Sequence, residues 1–399
     1  MRIGIYFADF VPEAGGGHTY VADLLKAILD GLSATQHDFT FFCDPRAAKS
    51  IGLDLDARRV SLVTIESPSW LQRQILGLKY LSPLFRRIWS WPGPLEVAAR
   101  NSGVELLWFI GVGVYESTVI PYVATVWDLQ HRLQPFFPEV NADGQWDARE
   151  QRYSQFLRRA TYCVTGTDVG KGQIVKFYQL DDARVRVLPL PTPRFALESG
   201  AKSATVEPRV SQYGEYVFYP AQFWSHKNHI NLFLAIKWLH DIHGLRINVV
   251  LTGSNQGNLR YVKRMADELG ISELVQFLGF VSKSELVELY QGALALTFTT
   301  YFGPDNIPPL EAFALGCPVI ASNVNGAEEQ LGDAAILVDP SNPEHIGRAI
   351  LALRADDTLR EQLCRRGYAR ATLWTSANYV NGVFKLFDEF SAVRRNWGG

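Results

Sequence analysis

No run in the chain approaches the roughly 18 consecutive apolar residues that a membrane-spanning helix needs. Cysteine is scarce, four in 399 residues, and Cys43, Cys163, Cys317 and Cys364 lie far apart in apolar runs. They form no C-x-x-C pair and have no histidine at ligand spacing, which points away from a disulfide framework or a zinc site. Buried free thiols in a reducing compartment are the expected state. Net charge is only -2, which argues against nucleic acid as a partner. No low-complexity block and no internal repeat occurs. The opening MRIGIYFADF lacks the long apolar core of a signal peptide and reads as a strand, so the cytoplasm is the expected location. Apolar and aromatic side chains are plentiful: 47% of residues are hydrophobic, and there are 23 Phe, 16 Tyr and 10 Trp. A chain of 399 residues is longer than one core commonly supports, so two domains of roughly 200 residues each are expected.

Short apolar runs alternate with amphipathic segments, the α/β pattern of parallel strands joined by crossover helices. The runs 2–7, 39–43, 60–65, 105–110, 122–126, 162–165 and 185–188 read as strands of a first half, and Val21, Leu24, Leu25, Ile28, Leu29 and Leu32 share one helical face. The alternation restarts near Tyr216 with further runs at 247–251, 275–278, 294–297, 319–321 and 335–338, and from Pro343 the chain reads as mostly helical. Between the halves, the span from about Pro191 to Gly214 is rich in Pro, Ser, Gly and small residues, and 196–214 within it reads as a linker. The expected division is 1–195, linker 196–214, a second unit 215–375 and a last helix 376–399. Two doubly wound, Rossmann-like halves imply a cleft between them, with ligands at the carboxyl ends of the strands.

The segment YFGPDNIPPLEAFALGCPVIAS, 301–322, carries one placed carboxylate. Pro308-Pro309 suits the first turn of a helix, whose free amides form an anion site, and Glu311 reads as the residue opening that helix. Two readings stand beside each other: an acid favoured by the helix dipole, or a bidentate acceptor for neighbouring hydroxyls such as those of a ribose. Lys227 follows a strand and turn at another helix start, where a cation opposes the dipole unless it serves an anion such as phosphate. Gly253 and Gly279, at strand ends, leave room for a base or for backbone.

The order HKN (226–228), TGS (252–254), FLGFVSKSELVELYQGA (277–293) and IPPLEAFALGCPVIASNVNGAEEQLGDAAILVDP (307–340) resembles the nucleotide-sugar domain of the family-4 retaining glycosyltransferases. The likeness covers roughly 216–370 and implies the GT-B fold, with a nucleoside-diphosphate sugar held by the second half and the last helix packed back on the first. It implies that Glu311 holds the ribose hydroxyls, that Lys227 neutralises the diphosphate, and that Phe280 and Val281 lie along the base. Asn306, Ile307, Pro308 and Leu310 are then expected around sugar and phosphates through backbone amides, with Gly253 beside the donor. Two positions depart from the family pattern: Gly303 stands where a second glutamate is usual, and Gln222 where an arginine is usual. Asp305 is the substitute expected for the sugar hydroxyls, and His226 or Arg260 for the missing charge. The PDNIPPLE form resembles a branch containing polysaccharide mannosyl- and rhamnosyltransferases.

In the first half, EAGGGHTYV lacks the G-x-G-x-x-G spacing of a dinucleotide site. Under the resemblance, Gly15, Gly16 and Gly17 cross the cleft, with Gly16 and Gly17 towards the donor phosphates and Gly15 towards the acceptor, and His18 reads either as an acceptor contact or as an exposed helix-start residue. VATVWDLQHRLQPFFPE resembles the family's strand-end segment that usually carries a His-Asp pair. Trp127 takes the histidine position, Asp128 is the acid, read as an active-site group over a cap or turn acid at a strand end, and His131 is the nearby imidazole, read either as an acceptor contact or as a turn residue. No carboxylate nucleophile offers itself, so the expected mechanism is front-face, with the leaving diphosphate helping to take the acceptor proton and Asp128, Lys227 and Glu311 as the catalytic set. Asp54-Leu55-Asp56 mimics a D-x-D metal motif in an otherwise featureless polar loop, and no metal or other cofactor is expected. Residues 67–95 hold Arg73, Lys79, Arg86, Arg87 and three tryptophans. They read either as a solvated helical pair or as a peripheral surface for anionic lipid. The reading is a cytoplasmic hexosyltransferase (mannose or rhamnose) acting on a lipid-linked or polysaccharide acceptor in surface-glycan synthesis of the O-antigen kind. The alternatives are an inactive homologue that binds carbohydrate or regulates a partner, and a nucleotide-sugar epimerase.

Overall fold

Strands buried on both faces need continuous apolar runs, and parallel neighbours need long return connections, usually helical. The chain meets both conditions twice. In the computed structural model, which describes residues 1–8, 16–51, 59–65, 92–111, 118–200 and 212–397, the strands of the first half are β1 (Arg2–Ala8), β2 (Asp38–Cys43), β3 (Val60–Thr64), β4 (Leu106–Phe109), β5 (Tyr122–Thr125), β6 (Tyr162–Thr165) and β7 (Val185–Val187). Those of the second half are β8 (Tyr216–Pro220), β9 (Asn248–Thr252), β10 (Val275–Gly279), β11 (Ala295–Phe298), β12 (Val319–Ser322) and β13 (Ala335–Val338). The sheet orders are β3-β2-β1-β4-β5-β6-β7 and β10-β9-β8-β11-β12-β13, and the recorded pairings are all parallel. Each order reverses beside the first strand of its half, at β1/β4 and at β8/β11. Loops leaving that point diverge and open a crevice above the carboxyl edge. These are the two doubly wound halves expected from the sequence.

Side chains alternate across the first sheet as the strand period requires. Phe41 and Trp108 face the helices Gly16–Asp30 and Ser376–Arg394, whose Val21, Leu24, Leu25, Ile28, Tyr379, Val383, Phe384 and Phe387 complete one core. Phe42, Leu107 and Phe109 face the other way, against Tyr122, Tyr153 and Phe156. The second sheet has its own core, built from Val217, Phe218, Val249, Val250, Leu296 and Ile320 with the helices His229–His243 and Ile307–Ala314. Each such side chain contributes about 1.5–3 kcal/mol on burial. Cys43, Cys163 and Cys317 are buried free thiols, and Cys364 is half-buried.

The span read as a linker is in part structured. Arg194–Gly200 is a helix whose Ala196 is buried in the second core. Its first amide, Arg194 N–H, donates to Asp23 Oδ2 of the first half at 2.8 Å. At Gly200 an added Cβ would lie 2.0 Å from the Ala314 carbonyl oxygen, so glycine alone permits this close pass. Composition hid the helix because Phe195-Ala196-Leu197 is a short apolar group among polar residues. Residues 201–211 of the expected linker lie outside the described residues.

Candidate functional site

The loop from β11 leads into the helix Ile307–Ala314, capped by Asn306 in extended conformation. Pro308 and Pro309 take the second and third helical positions, where their fixed φ is preset and no N–H bond is lost. The helix therefore opens at Ile307, not at Glu311, and Glu311 falls in its second turn. Dipole effects fade within the first turn, so that explanation of the acid loses its footing. Glu311 is 7% exposed, and its Oε2 accepts from the Tyr290 hydroxyl at 2.7 Å. Burial pushes its pKa up to about 7 against the Tyr290 hydrogen bond, with Asp23 of the first half adding to the rise.

The expected row of amides at this helix start is thinner than the sequence implied. The Asn306 N–H is already given to Gln330 Oε1 at 2.9 Å, and Gln330 Nε2 returns a bond to the Asn306 carbonyl at 2.8 Å. Proline has no N–H, so Pro308 supplies none, and Leu310 is the first residue whose amide the helix itself uses. Of these positions only Ile307 carries a first-turn N–H.

Lys227 ends a short 3-10 turn, Ser225–Lys227, that follows β8. Asn228 is left-handed at φ 58° and is pinned by Nδ2 bonds to the carbonyls of Thr299 (2.8 Å) and Pro340 (2.7 Å). The Lys227 ammonium lies 5.0 Å from the centre of the Phe298 ring. Desolvation lowers its pKa to about 8, with Asp128 and Glu139 pulling the other way. Gln222, in place of the usual arginine, is engaged at both ends: Nε2 donates to Ser254 Oγ at 3.2 Å and Oε1 accepts from Trp224 Nε1 at 3.0 Å. Gly253 has φ 136°, and an added Cβ would sit 2.4 Å from the Ala221 carbonyl oxygen. The close pass of backbone therefore explains that glycine. Phe280 is 69% exposed, while Val281 packs on the second core.

Asp305 crosses to the first half. A Cβ on Gly166, after β6, would lie 1.6 Å from Asp305 Oδ2, and among the described residues that oxygen is buried without a hydrogen-bond partner. Burial pushes the Asp305 pKa up to about 7, and the neighbouring charges of Asp128 and Glu329 raise it further.

On the first half, Gly16 opens the helix Gly16–Asp30, and its Cβ position is 3.4 Å from Ile307 Cδ1 of the second half. Gly17 and His18 follow in the same turn, half-buried. Gly15 lies outside the described residues. Asp128 follows β5, and its Oδ1 accepts from the Gln130 amide at 2.9 Å and the Arg149 guanidinium at 2.5 Å. Burial opposes its ionisation, but Arg149 and that amide outweigh it and hold the pKa below the ordinary value. His131 corrects the sequence reading. It is 0% exposed, with Nε2 3.2 Å from Glu150 Oε2 and 3.1 Å from the Tyr178 hydroxyl, so it is a core residue and not an acceptor contact. Burial lowers its pKa to about 4.

Of the charge substitutes, Arg260 is exposed, and His226 is bonded to Glu139 of the first half. Among the described residues no group of three or more His, Cys, Asp or Glu is placed to hold a metal ion, and no helix is long and apolar enough to cross a membrane. Asp54 and Asp56, and the basic aromatic stretch as far as residue 91, lie outside the described residues.

Sequence reasoning missed the cross-cleft contacts. Glu139 meets His226, and Glu329 accepts from the amides of Asp168 (2.6 Å) and Val169 (3.3 Å) at the start of the helix Asp168–Tyr178. Gln134 Nε2 donates to the Tyr301 carbonyl at 2.9 Å. These partners are 87, 161 and 167 residues apart, and nothing in the local sequence signals them.

The family described as glycosyl transferases group 1 matches residues 207–370. O-antigen chain mannosyltransferase B of Escherichia coli is 24% identical over 252 residues, which cover 63% of this chain and 66% of that protein. The D-inositol 3-phosphate glycosyltransferase of Corynebacterium jeikeium is 25% identical over 284 residues, covering 68% and 67%. The chain thus spans about two thirds of the length of these relatives. Among solved structures, sucrose-phosphate synthase from Thermosynechococcus elongatus superposes with a TM-score of 0.71 at 16% identity, covering 98% of this chain and 99% of that one. Anabaena Alr3699/HepE in complex with UDP and glucose gives 0.67 at 14% identity, covering 98% and 100%. At such identities the likeness to the solved structures is one of fold: two α/β, Rossmann-like domains facing across a cleft.

Proposed function

We propose that the chain, whose fold is GT-B and whose residues 207–370 match the group 1 glycosyl transferases, transfers a hexose, mannose or rhamnose, from a nucleoside-diphosphate sugar to a lipid-linked or polysaccharide acceptor, with retention. The observation that carries this reading is that the buried Glu311 carboxyl, in the helix after β11, and the desolvated Lys227 ammonium, in the turn after β8, both follow adjacent strands at the switch point of the second sheet. Glu311 accepts from the ribose hydroxyls, and Lys227 sits where the diphosphate charge grows as the sugar departs. Such preorganised charge in a dry site stabilises the transition state more than the ground state. Asp128, held ionised by Arg149, faces the developing positive charge of the sugar from the first half, and the leaving phosphate helps to take the acceptor proton. Phe280 and Val281 flank the base, and Asp305 takes the sugar hydroxyls. Gln222 in place of arginine forgoes a charge-assisted bond of about 1.5–3 kcal/mol. The first domain, 1–195, takes the acceptor, and the segment 67–95 brings it to the cytoplasmic face of an anionic membrane. Flotation with anionic liposomes that is lost at high salt is the expected result, and no salt-sensitive binding would sink that part of the reading.

One observation favours the epimerase alternative. Asp305 lies in the field of Asp128; Asp128 is held ionised while Asp305 is pushed towards the neutral form, the split that acid and base partners require. Conversion of a nucleotide sugar in the absence of acceptor would select it. The primary test is calorimetric binding of GDP, UDP and dTDP to wild type, Glu311→Ala and Lys227→Ala. One nucleotide should bind at micromolar strength, weakened about tenfold or more, some 1.4 kcal/mol, by each substitution. If none binds, the departures at Gly303 and Gln222 mark an inactive homologue.

A further inference from the structure

Lys227 has no carboxylate within ion-pair distance among the described residues, yet its turn is gripped from the opposite half. Glu139, in the short helix Pro138–Asn141, accepts through a single oxygen, Oε1, from the His226 backbone N–H at 2.9 Å and from His226 Nδ1 at 2.5 Å. The His226 carbonyl in turn accepts from the Tyr301 amide at 2.8 Å and the Thr300 hydroxyl at 3.2 Å. Tyr301 is itself held by Gln134, and the Phe137 ring stands 6.2 Å from the His226 ring and 6.0 Å from that of Tyr301. Six consecutive residues of the first half, 134–139, thus hold both loops that leave the switch point of the second sheet.

The second oxygen of Glu139 makes this more than a structural strut. Oε2 is buried and has no hydrogen-bond partner among the described residues. A buried carboxylate with a free acceptor is costly unless something in its field compensates. Lys227, next in sequence to the residue Glu139 grips, is the cation that feels it, together with Asp128. His226, also facing Glu139, is pushed towards its neutral form by desolvation. Four titratable groups therefore share the field of the ammonium: Asp128 and Glu139 from the first half, and His226 and His229 from its own, both imidazoles pushed towards the neutral form by desolvation.

We propose that Glu139 is a positioning residue: from across the cleft it locks the 225–228 turn through Oε1 and sets the Lys227 ammonium, through its charge, to meet the leaving diphosphate. Binding chemistry in the second half is then complete only when the first half is closed onto it. This rests on the donor-site reading above and assigns a residue outside that site's own half.

The test uses the full-length protein and two variants. Glu139→Gln keeps the shape and the acceptor oxygen but removes the charge. Glu139→Ala removes both, and thermal melting shows whether it folds; the Gln variant answers if it does not. Two readouts are followed: the Lys227 ammonium titration by NMR on isotope-labelled lysine, and the affinity for UDP and GDP from pH 6 to 9. Removing a nearby anion disfavours the ammonium, so Glu139→Gln should move the Lys227 titration below its value of about 8. It should also weaken diphosphate binding about three- to tenfold at pH 8 and much less at pH 6, where the ammonium is protonated in both proteins. A merely structural role would instead weaken binding equally at every pH. A Lys227 titration and a pH slope identical to wild type would overturn the proposal. If wild type binds no nucleotide, the glycosyltransferase reading fails, and the Lys227 titration alone still decides whether Glu139 sets its charge.

Discussion

Replacing Glu311 by Gln should separate the stability of this protein from its ability to hold a nucleotide. The carboxyl is 7% exposed, and burial raises its pKa from the ordinary 4.5 to about 7. Between those values the folded chain keeps a proton that the unfolded chain releases. The stability carried by the neutral acid is therefore complete below pH 4.5, declines as pH rises to about 7 and is flat beyond. At 1.36 kcal/mol per unit, that interval corresponds to about 3 kcal/mol held against folding at pH 8. Gln is neutral, nearly the same shape, and still accepts the Tyr290 hydroxyl through its amide oxygen. E311Q should accordingly melt higher than wild type at pH 8, by roughly 6–12 °C on the scale of a 200-residue domain. At pH 5 the two proteins should melt nearly together. Nucleotide affinity should move the other way, because ribose hydroxyls lose a charged acceptor worth about 1.5–3 kcal/mol, roughly tenfold to a hundredfold in affinity. Melting curves of both proteins from pH 5 to 8, with and without the nucleotide that binds, make the comparison. A melting difference that does not vary with pH would refute the reasoning, since a buried acid of raised pKa must leave a pH-dependent trace.

Tyr290→Phe removes the hydroxyl that holds the Glu311 pKa down, so the pH below which nucleotide binding fades should move upward, as calorimetry at pH 6 and pH 8 would show. Gly166→Ala places a methyl group at the position of Asp305 Oδ2; small-angle scattering should report a more open molecule, with donor affinity reduced and the melting temperature little changed. His131→Leu leaves Glu150 and Tyr178 without their imidazole partner, and should cost about 1–3 kcal/mol of stability while the KM for the acceptor stays put; a raised KM with an unchanged melt would restore the acceptor reading.

The strands were legible because a doubly wound sheet writes its buried strands as short apolar runs, and β1 to β13 fall on the runs expected for them. The neighbourhoods of Lys227 and Glu311 were legible because strand-end turns and proline-led helices have local signatures. The register of the helix at Ile307 was misjudged because two prolines inside a first turn look like a boundary when they are part of it. His131 was misjudged for a different reason. A histidine after a strand end is ambiguous until its partners are known, and Glu150 and Tyr178 are 19 and 47 residues away. The cross-cleft contacts of Glu139 and Glu329 are long-range pairings of ordinary surface-type residues, and no periodicity or composition encodes them.

The helix Ser376–Arg394 has a consequence for biogenesis. Its Tyr379, Val383, Phe384 and Phe387 finish the core of the first sheet, although the whole second sheet lies between them in the chain. During translation the earlier sheet must therefore wait, that face covered only in part by the helix Gly16–Asp30, while about 190 more residues are made, some 10–40 s at 5–20 residues per second. The later half, whose core is contiguous in sequence, can close first. The order of folding then inverts the order of synthesis, and a ribosome stalled short of residue 376 would release a finished second half tethered to an unfinished, chaperone-seeking first half.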